Sequence, residues 1–198
     1  MQWWDAARMK LMVSAGQDLE VHGQVRPCLI AAQGEDVRLV ARLRPFPPGG
    51  VEDPLIEVLA LAGGLACDRL ALSLAGRAWS LDDPIAPVAP GVGDLRARVL
   101  VIHLLDGAVE PVAVSSTVVP YAMQEGCVEF GEALEPGTGQ GRLPRLLEVG
   151  ATLAGKVPSD PFLVAEQAQR CLDLGHAIEL TPSSVSRLPP GSVVPHPR

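Results

Sequence analysis

Among the residues able to move a proton near neutral pH, His103 has the most suggestive setting. It falls inside the apolar run Val101, Ile102, Leu104, Leu105, and Ser115, Ser116 and Thr117 follow beyond Asp106 and Gly107. An imidazole within hydrogen-bond reach of a hydroxyl can take its proton and leave a nucleophile, the chemistry of small hydrolases and transferases. His103 as general base beside Ser115 or Ser116 is therefore the enzymatic reading of this chain. Against it, there is no G-x-S-x-G elbow, and Asp106 with Gly107 is already explained as a hairpin turn. A core histidine with a satisfied hydrogen bond accounts for the same residues with fewer assumptions.

Other chemistry-bearing residues are weaker still. Arg38, Arg42 and Arg44, with Arg26 nearby, could share a sheet face and bind a phosphate or an acidic partner. No aromatic residues are interleaved with them, as a stacking platform for single-stranded nucleic acid requires. Glu125, Glu129, Glu132 and Glu135 offer carboxylates, but on a strand Glu129 and Glu132 point to opposite faces. Gly137, Gly139 and Gly141 lack the Lys-Ser/Thr ending of a phosphate loop and read as a linker. Cys28, Cys67, Cys127 and Cys171 lie far apart without a C-x-x-C pair, which makes them buried free thiols rather than metal ligands. No metal and no cofactor is expected.

The elements that must position these residues are set by a plain composition. Of the 198 residues 47% are hydrophobic but only 4% aromatic, so Leu, Val and Ala must fill the interior. The formal charge of −7 argues against a nonspecific polyanion binder. Near the N-terminus the apolar run after Lys10 is too short for a signal-peptide core, and no stretch has the length of a membrane span. A cytoplasmic location and no membrane partner are the expectation.

Trp3 to Val13 reads as a short helix, followed by strand-like sequence from Leu19 to Gln33. Val37, Leu39, Ala41 and Leu43 alternate with Arg38, Val40, Arg42 and Arg44, so 27–44 is a hairpin turning at Gly34, Glu35 and Asp36. Asp53 and Pro54 start a helix through Leu55, Val58, Leu59, Ala62 and Leu65 that is apolar on nearly every side and hence buried. Gly63 and Gly64 in it suggest close approach to a strand. Strands are expected over 69–80, 95–105, 109–119 and 127–134, and helices over 143–154 and 161–174, the last capped by Ser159 or Asp160 and ended at Gly175.

The fold class expected is thus α+β, a mostly antiparallel sheet of hairpin plus strand meander packed on a buried helix, with two C-terminal helices and an extended Pro-rich tail. Residues 1–135 form the core domain, 136–180 a helical appendage and 181–198 the tail. The termini carry apolar residues with no core of their own: Trp3 and Trp4 at one end, then Val164, Ala168 and Leu172 on the last helix, and Val185, Leu188, Val193 and Val194 in the tail. These are the candidate contacts to a protein partner or to a second copy in a homo-oligomer. The functional expectation is a non-enzymatic interaction or assembly subunit docking through its termini, with the His103 hydrolase or transferase as the alternative.

Overall fold

The computed structural model describes residues 3–47, 50–78, 96–109, 112–138, 142–154, 160–190 and 192. The chain opens with helix α1 (Trp3–His22). This helix runs well past Val13 and takes in the start of the segment expected to be a strand. Gly16 stays helical because of what packs on it: a Cβ there would stand 3.3 Å from the Val128 side chain. Tertiary packing overrides the poor helix propensity of Gly. Gly23, at φ 69°, ends the helix with its N–H on the Leu19 carbonyl at 2.9 Å.

Strands β1 (Cys28–Gln33) and β2 (Asp36–Arg42) form the expected hairpin, with Gly34 supplying a φ of 59° in the turn. Helix α2 (Glu52–Gly64) crosses to β3 (Arg69–Ala78), which pairs on the other side of β1. Asp53 and Pro54 sit in the first turn of α2, and Val51 occupies the cap without a side-chain bond. β4 (Ala97–Asp106) and β5 (Ala113–Gln124) continue the meander. Gly107 does not make a two-residue turn with Asp106. Its N–H bonds the Asp68 carbonyl at 2.8 Å, and the loop closes only at Ala113.

A true two-residue turn comes next, where Glu125 (φ 50°) and Gly126 (φ 87°) join β5 to β6 (Cys127–Phe130). Both φ values are positive, as a type I′ hairpin demands. β7 (Leu134–Thr138) then pairs with the first half of β5. It occupies part of the segment expected to be linker, and Pro136 falls where the register shifts, a place in a sheet that tolerates a missing donor. Helices α3 (Arg142–Ala154) and α4 (Pro161–Asp173) follow, with the Asp160 carboxylate capping the Phe162 N–H at 2.9 Å. Gly175, at φ 92°, ends α4 before β8 (Ala177–Leu180) and the short helix α5 (Pro182–Val185).

The antiparallel sheet has the order β6-β5-β4-β3-β1-β2-β8, with β7 beside β5, and the fold is α+β. Its strands are apolar on both faces, which requires cover on both. Cys28, Ile30, Ala32, Ala71, Leu100 and Ile102 pack under α1. Leu29, Ala31, Leu39, Leu70, Leu72 and Leu105 pack under α2, α3 and α4. Helices α3 and α4 share one core with α2.

The tail is also part of the body. Opposite Ala31 and Ala32, β2 carries one extra residue, Arg38, in a β-bulge. The Arg38 carbonyl accepts the Thr181 N–H at 3.2 Å and the Ser184 hydroxyl at 3.0 Å, and Ser184 is fully buried. Val185 and Leu188 pack on the same core as α2. The docking arm expected from 181 onward is therefore an intramolecular strap over its described length, while Val193 and Val194 lie outside the described residues. Ser184→Ala should cost about 0.5–1.5 kcal/mol by removing one of the two hydrogen bonds to the Arg38 carbonyl, read as a fall in the urea midpoint. A midpoint unchanged from wild type would show that the strap carries no stability.

Candidate functional site

An open apolar groove lies on the outer side of α2, between α3 and α4. Two close contacts set its walls. A Cβ on Gly150 of α3 would stand 2.9 Å from the Leu59 side chain, and one on Gly64 of α2 would stand 3.0 Å from Val164 of α4. Each flanking helix thus approaches α2 at a glycine, although the sequence had suggested that Gly64 would approach a strand. α3 runs alongside α2 in the same direction, since Arg142 pairs with Glu52 at 3.2 Å while Gly150 meets Leu59. α4 runs the opposite way, because Val164 meets Gly64 while Gln167 bonds the Glu57 carbonyl at 3.0 Å.

Between these walls is a groove of about 550 Å³. Ile56, Ala60 and Gly63 lie along its floor, Leu146 and Val149 on the α3 side, and Leu163, Glu166 and Arg170 on the α4 side. Ile56 is 49% exposed, Val149 56% and Leu163 60%, so the apolar surface is continuous and open to water. Above Gly63 there is free space, with no atom within 4 Å of where a Cβ would be.

One end of α4 is held by an ionic cluster. Arg44 grips Glu57 of α2 through two bonds, Nε to Oε2 at 2.8 Å and Nη2 to Oε1 at 2.9 Å. His176, whose side chain is fully enclosed, accepts the Arg44 backbone N–H on Nδ1 at 3.1 Å. Its ring proton is therefore on Nε2, which donates to Glu57 Oε2 at 2.7 Å. The Arg44 guanidinium, with help from His176 and against the opposing push of burial, holds the Glu57 carboxyl down at about 2. Gln167 and Cys171 add bonds from α4 to the Glu57 carbonyl.

The three arginines are not brought together, and each is engaged within the chain. The bulge at Arg38 breaks the alternation that would have lined them up. Arg38 binds Asp36 at 3.1 Å and Gln33 at 3.1 Å, Arg42 binds Ser14 at 2.9 Å with Asp18 3.7 Å away, and Arg44 belongs to Glu57. Each has an acidic partner within the chain.

His103 and Ser116 do come together. They are cross-strand neighbours, with His103 Nδ1 2.8 Å from the Ser116 hydroxyl, and both are nearly closed to water. Burial pushes the His103 imidazole below its ordinary range, which keeps it neutral and able to accept. Ser115 is exposed and pairs with Leu104, so strand alternation turns it to the other face. Asp106 also belongs to that other face, where its carboxylate takes the Ala108 N–H at 3.0 Å and stands 3.5 Å from Arg69. Among the described residues no carboxylate reaches the His103 ring.

The expected terminal contacts are mostly internal. Trp3 is buried in the α1 core and meets Trp4 edge-on at 4.6 Å, and Trp4 lies 5.9 Å from the Arg69 guanidinium. Val164, Ala168 and, in part, Leu172 pack on the α2 side of the sheet. The exposed apolar residues of α4 are Phe162 and Leu163 instead. Their signal was present in the sequence, as two large apolar residues lying off the stripe of 164, 168 and 171. Cys28, Cys67 and Cys171 are buried thiols, while Cys127 is exposed, because it begins a short edge strand. Among the described residues there is no cluster of metal-ligating side chains, and no helix is long and apolar enough to cross a membrane.

Comparison of the chain with protein-family models, curated proteins and solved structures gives no match.

Glu57 has a lowered carboxyl, so its contribution to stability is present above about 4.5 and is lost as pH falls toward about 2. Denaturation midpoints taken through that window should fall more steeply for the wild type than for Glu57→Gln. Parallel curves for the two proteins would mean that the cluster contributes nothing to folding.

Proposed function

We propose that this chain is a non-enzymatic interaction module of a protein assembly, and that the groove between α2, α3 and α4 receives its partner. The observation that carries this reading is the open apolar surface of Ile56, Val149 and Leu163 around the unfilled space at Gly63. Large apolar side chains left together in water favour removal of that surface by association. Walls fixed by close glycine contacts support a preformed site, which lowers the ordering cost of binding. The exposed free thiol of Cys127 suits a reducing compartment, so we place this activity in the cytoplasm.

Leu163 is exposed, so Leu163→Glu should leave the fold intact. It should weaken association by about tenfold or more by placing a charge in a desolvated contact. Quantitative co-purification of tagged wild type and variant from the source cell should then show one or more proteins retained by the first and lost by the second. The same set of proteins at the same yields would exclude the groove as the docking site.

A second reading, hydrolase or transferase, is favoured by the 2.8 Å contact of His103 with Ser116 alone. In it His103 Nδ1 takes the hydroxyl proton as Ser116 Oγ attacks an ester carbonyl or a phosphoryl centre, and passes that proton to the leaving oxygen as its bond to that centre breaks. Any such activity should disappear in both Ser116→Ala and His103→Gln while Ser115→Ala retains it. Turnover that survives Ser116→Ala would end this reading.

A further inference from the structure

We infer that the occupant of the groove is a single amphipathic helix of another protein. This rests on the interaction reading above, and three features of the site point to the helix.

The first is what the groove offers to a backbone. Its floor and walls are the flanks of three α-helices, whose amides and carbonyls are engaged along their own axes. An extended segment laid there would find no ladder to join, and its own N–H and C=O groups would be removed from water without partners. A helix brings its backbone bonds with it. Only its side chains need to find partners in the groove.

The second is the spacing of the floor. Ile56, Ala60 and Gly63 follow the i, i+4, i+7 rule and form one straight seam along α2. That seam extends for about 10 Å, the length of two helical turns, and so matches two or three side chains on one stripe of a facing helix. The space above Gly63 receives the largest of them. The open apolar surface also continues onto Phe162, which is 73% exposed, beyond the limits of the groove itself. A helix of several turns covers that extension, whereas a small apolar ligand confined to the groove leaves it in water.

The third is the order of charge on the α4 wall. Because α4 runs against α2, Arg170 stands at the Ile56 end, and Glu166 followed by Asp160 stands toward the Gly63 end. A complementary helix carries an acidic residue over Ile56 and a basic residue beyond Gly63, with the apolar stripe between them. This fixes the direction in which it lies as well as its composition.

The test is selection of peptides of about 16 residues, roughly four turns, from a random display library on the full chain, with counter-selection on Gly63→Leu. The added side chain meets open space, so this variant fills the groove while leaving the packing of α3 and α4 in place. Circular dichroism of the variant checks that the fold is kept, and Leu163→Glu serves as an independent second block. The expected binders have apolar residues at i, i+3 or i+4 and i+7, lack internal proline, gain helicity on binding and lose about tenfold or more in affinity for both variants. On Arg170→Glu the preferred residue at one end should change from acidic to basic. Binders that discriminate in the same way but are extended or proline-rich would overturn the helix while sparing the interaction site. A complex of this chain with itself that Gly63→Leu dissolves would overturn the foreign partner. Failure to recover any discriminating binder would overturn both the helix and the groove.

Discussion

A sheet that is apolar on both faces cannot stand with one face in water, and most of this architecture follows from that constraint. In β1, Leu29 and Ala31 face one way while Cys28, Ile30 and Ala32 face the other, and all five are essentially buried. Each large side chain removed from water there contributes about 1.5–3 kcal/mol, but only if a helical layer covers its face. Among the described residues α1 is the one helix on the face of Cys28, Ile30 and Ala32, and it must be long to cover it. It continues through Gly16 to meet Val128 and Phe130, where the β5–β6 hairpin comes against it. The other face is wider and is shared among three helices, which is why a seam between helices exists on that side.

With few aromatic residues available, the second layer is built by close approach rather than by large side chains. Glycines at 64 and 150 bring α4 and α3 onto α2 with almost no intervening volume. The same economy leaves α2 with an outward stripe of modest side chains that neither neighbour reaches. Helices packed at fixed glycine contacts have little freedom to close over that stripe, since an added methyl group at either position would meet a neighbouring side chain. The groove is therefore a consequence of how the layer is packed, and its shape does not depend on a partner being present.

How much of this was legible in the sequence depends on the range of the interaction responsible. The hairpin of β1 and β2, the helix starting near Pro54, the cap at Asp160 and the stop at Gly175 rest on local chemistry and could be read directly. The sequence placed His103 near Ser115 or Ser116 without choosing between them, because a two-residue turn at Asp106 and Gly107 sets a different register from the longer loop that brings Ser116 opposite His103. What escaped were features decided at a distance. The Val37 to Leu43 alternation gave no sign of the bulge at Arg38, whose carbonyl is satisfied by residues about 140 positions later in the chain. β8 is four residues long and exists only by pairing with β2. The all-apolar α2 reads as fully buried, and which of its sides stays open depends on where α3 and α4 lie, information that no local pattern holds.

The ionic cluster completes the attachment of α4 to this layer. α4 has only one narrow stripe, Val164, Ala168 and Cys171, with which to hold itself to the core, and the opposite side carries Glu166 and Arg170 into water. Its C-terminal half is fastened instead through Glu57, which ties α2 to Arg44 by side chain and to α4 by its carbonyl, while His176 joins the same carboxylate from the segment entering β8. A carboxylate with three hydrogen bonds from two partners is costly to separate from them, because each donor left behind loses its bond in a poorly solvated place. That makes Glu57 a positioning residue for the α4 wall. The bonds of Gln167 and Cys171 to the Glu57 carbonyl fix α4 against α2 independently of charge, while the carboxylate adds the tie to Arg44 and to His176 just beyond the end of α4. The surface that faces outward on α2 and α4 is thus kept in place in part by polar bonds on the inward side, and the shape of the groove does not depend on apolar contacts alone.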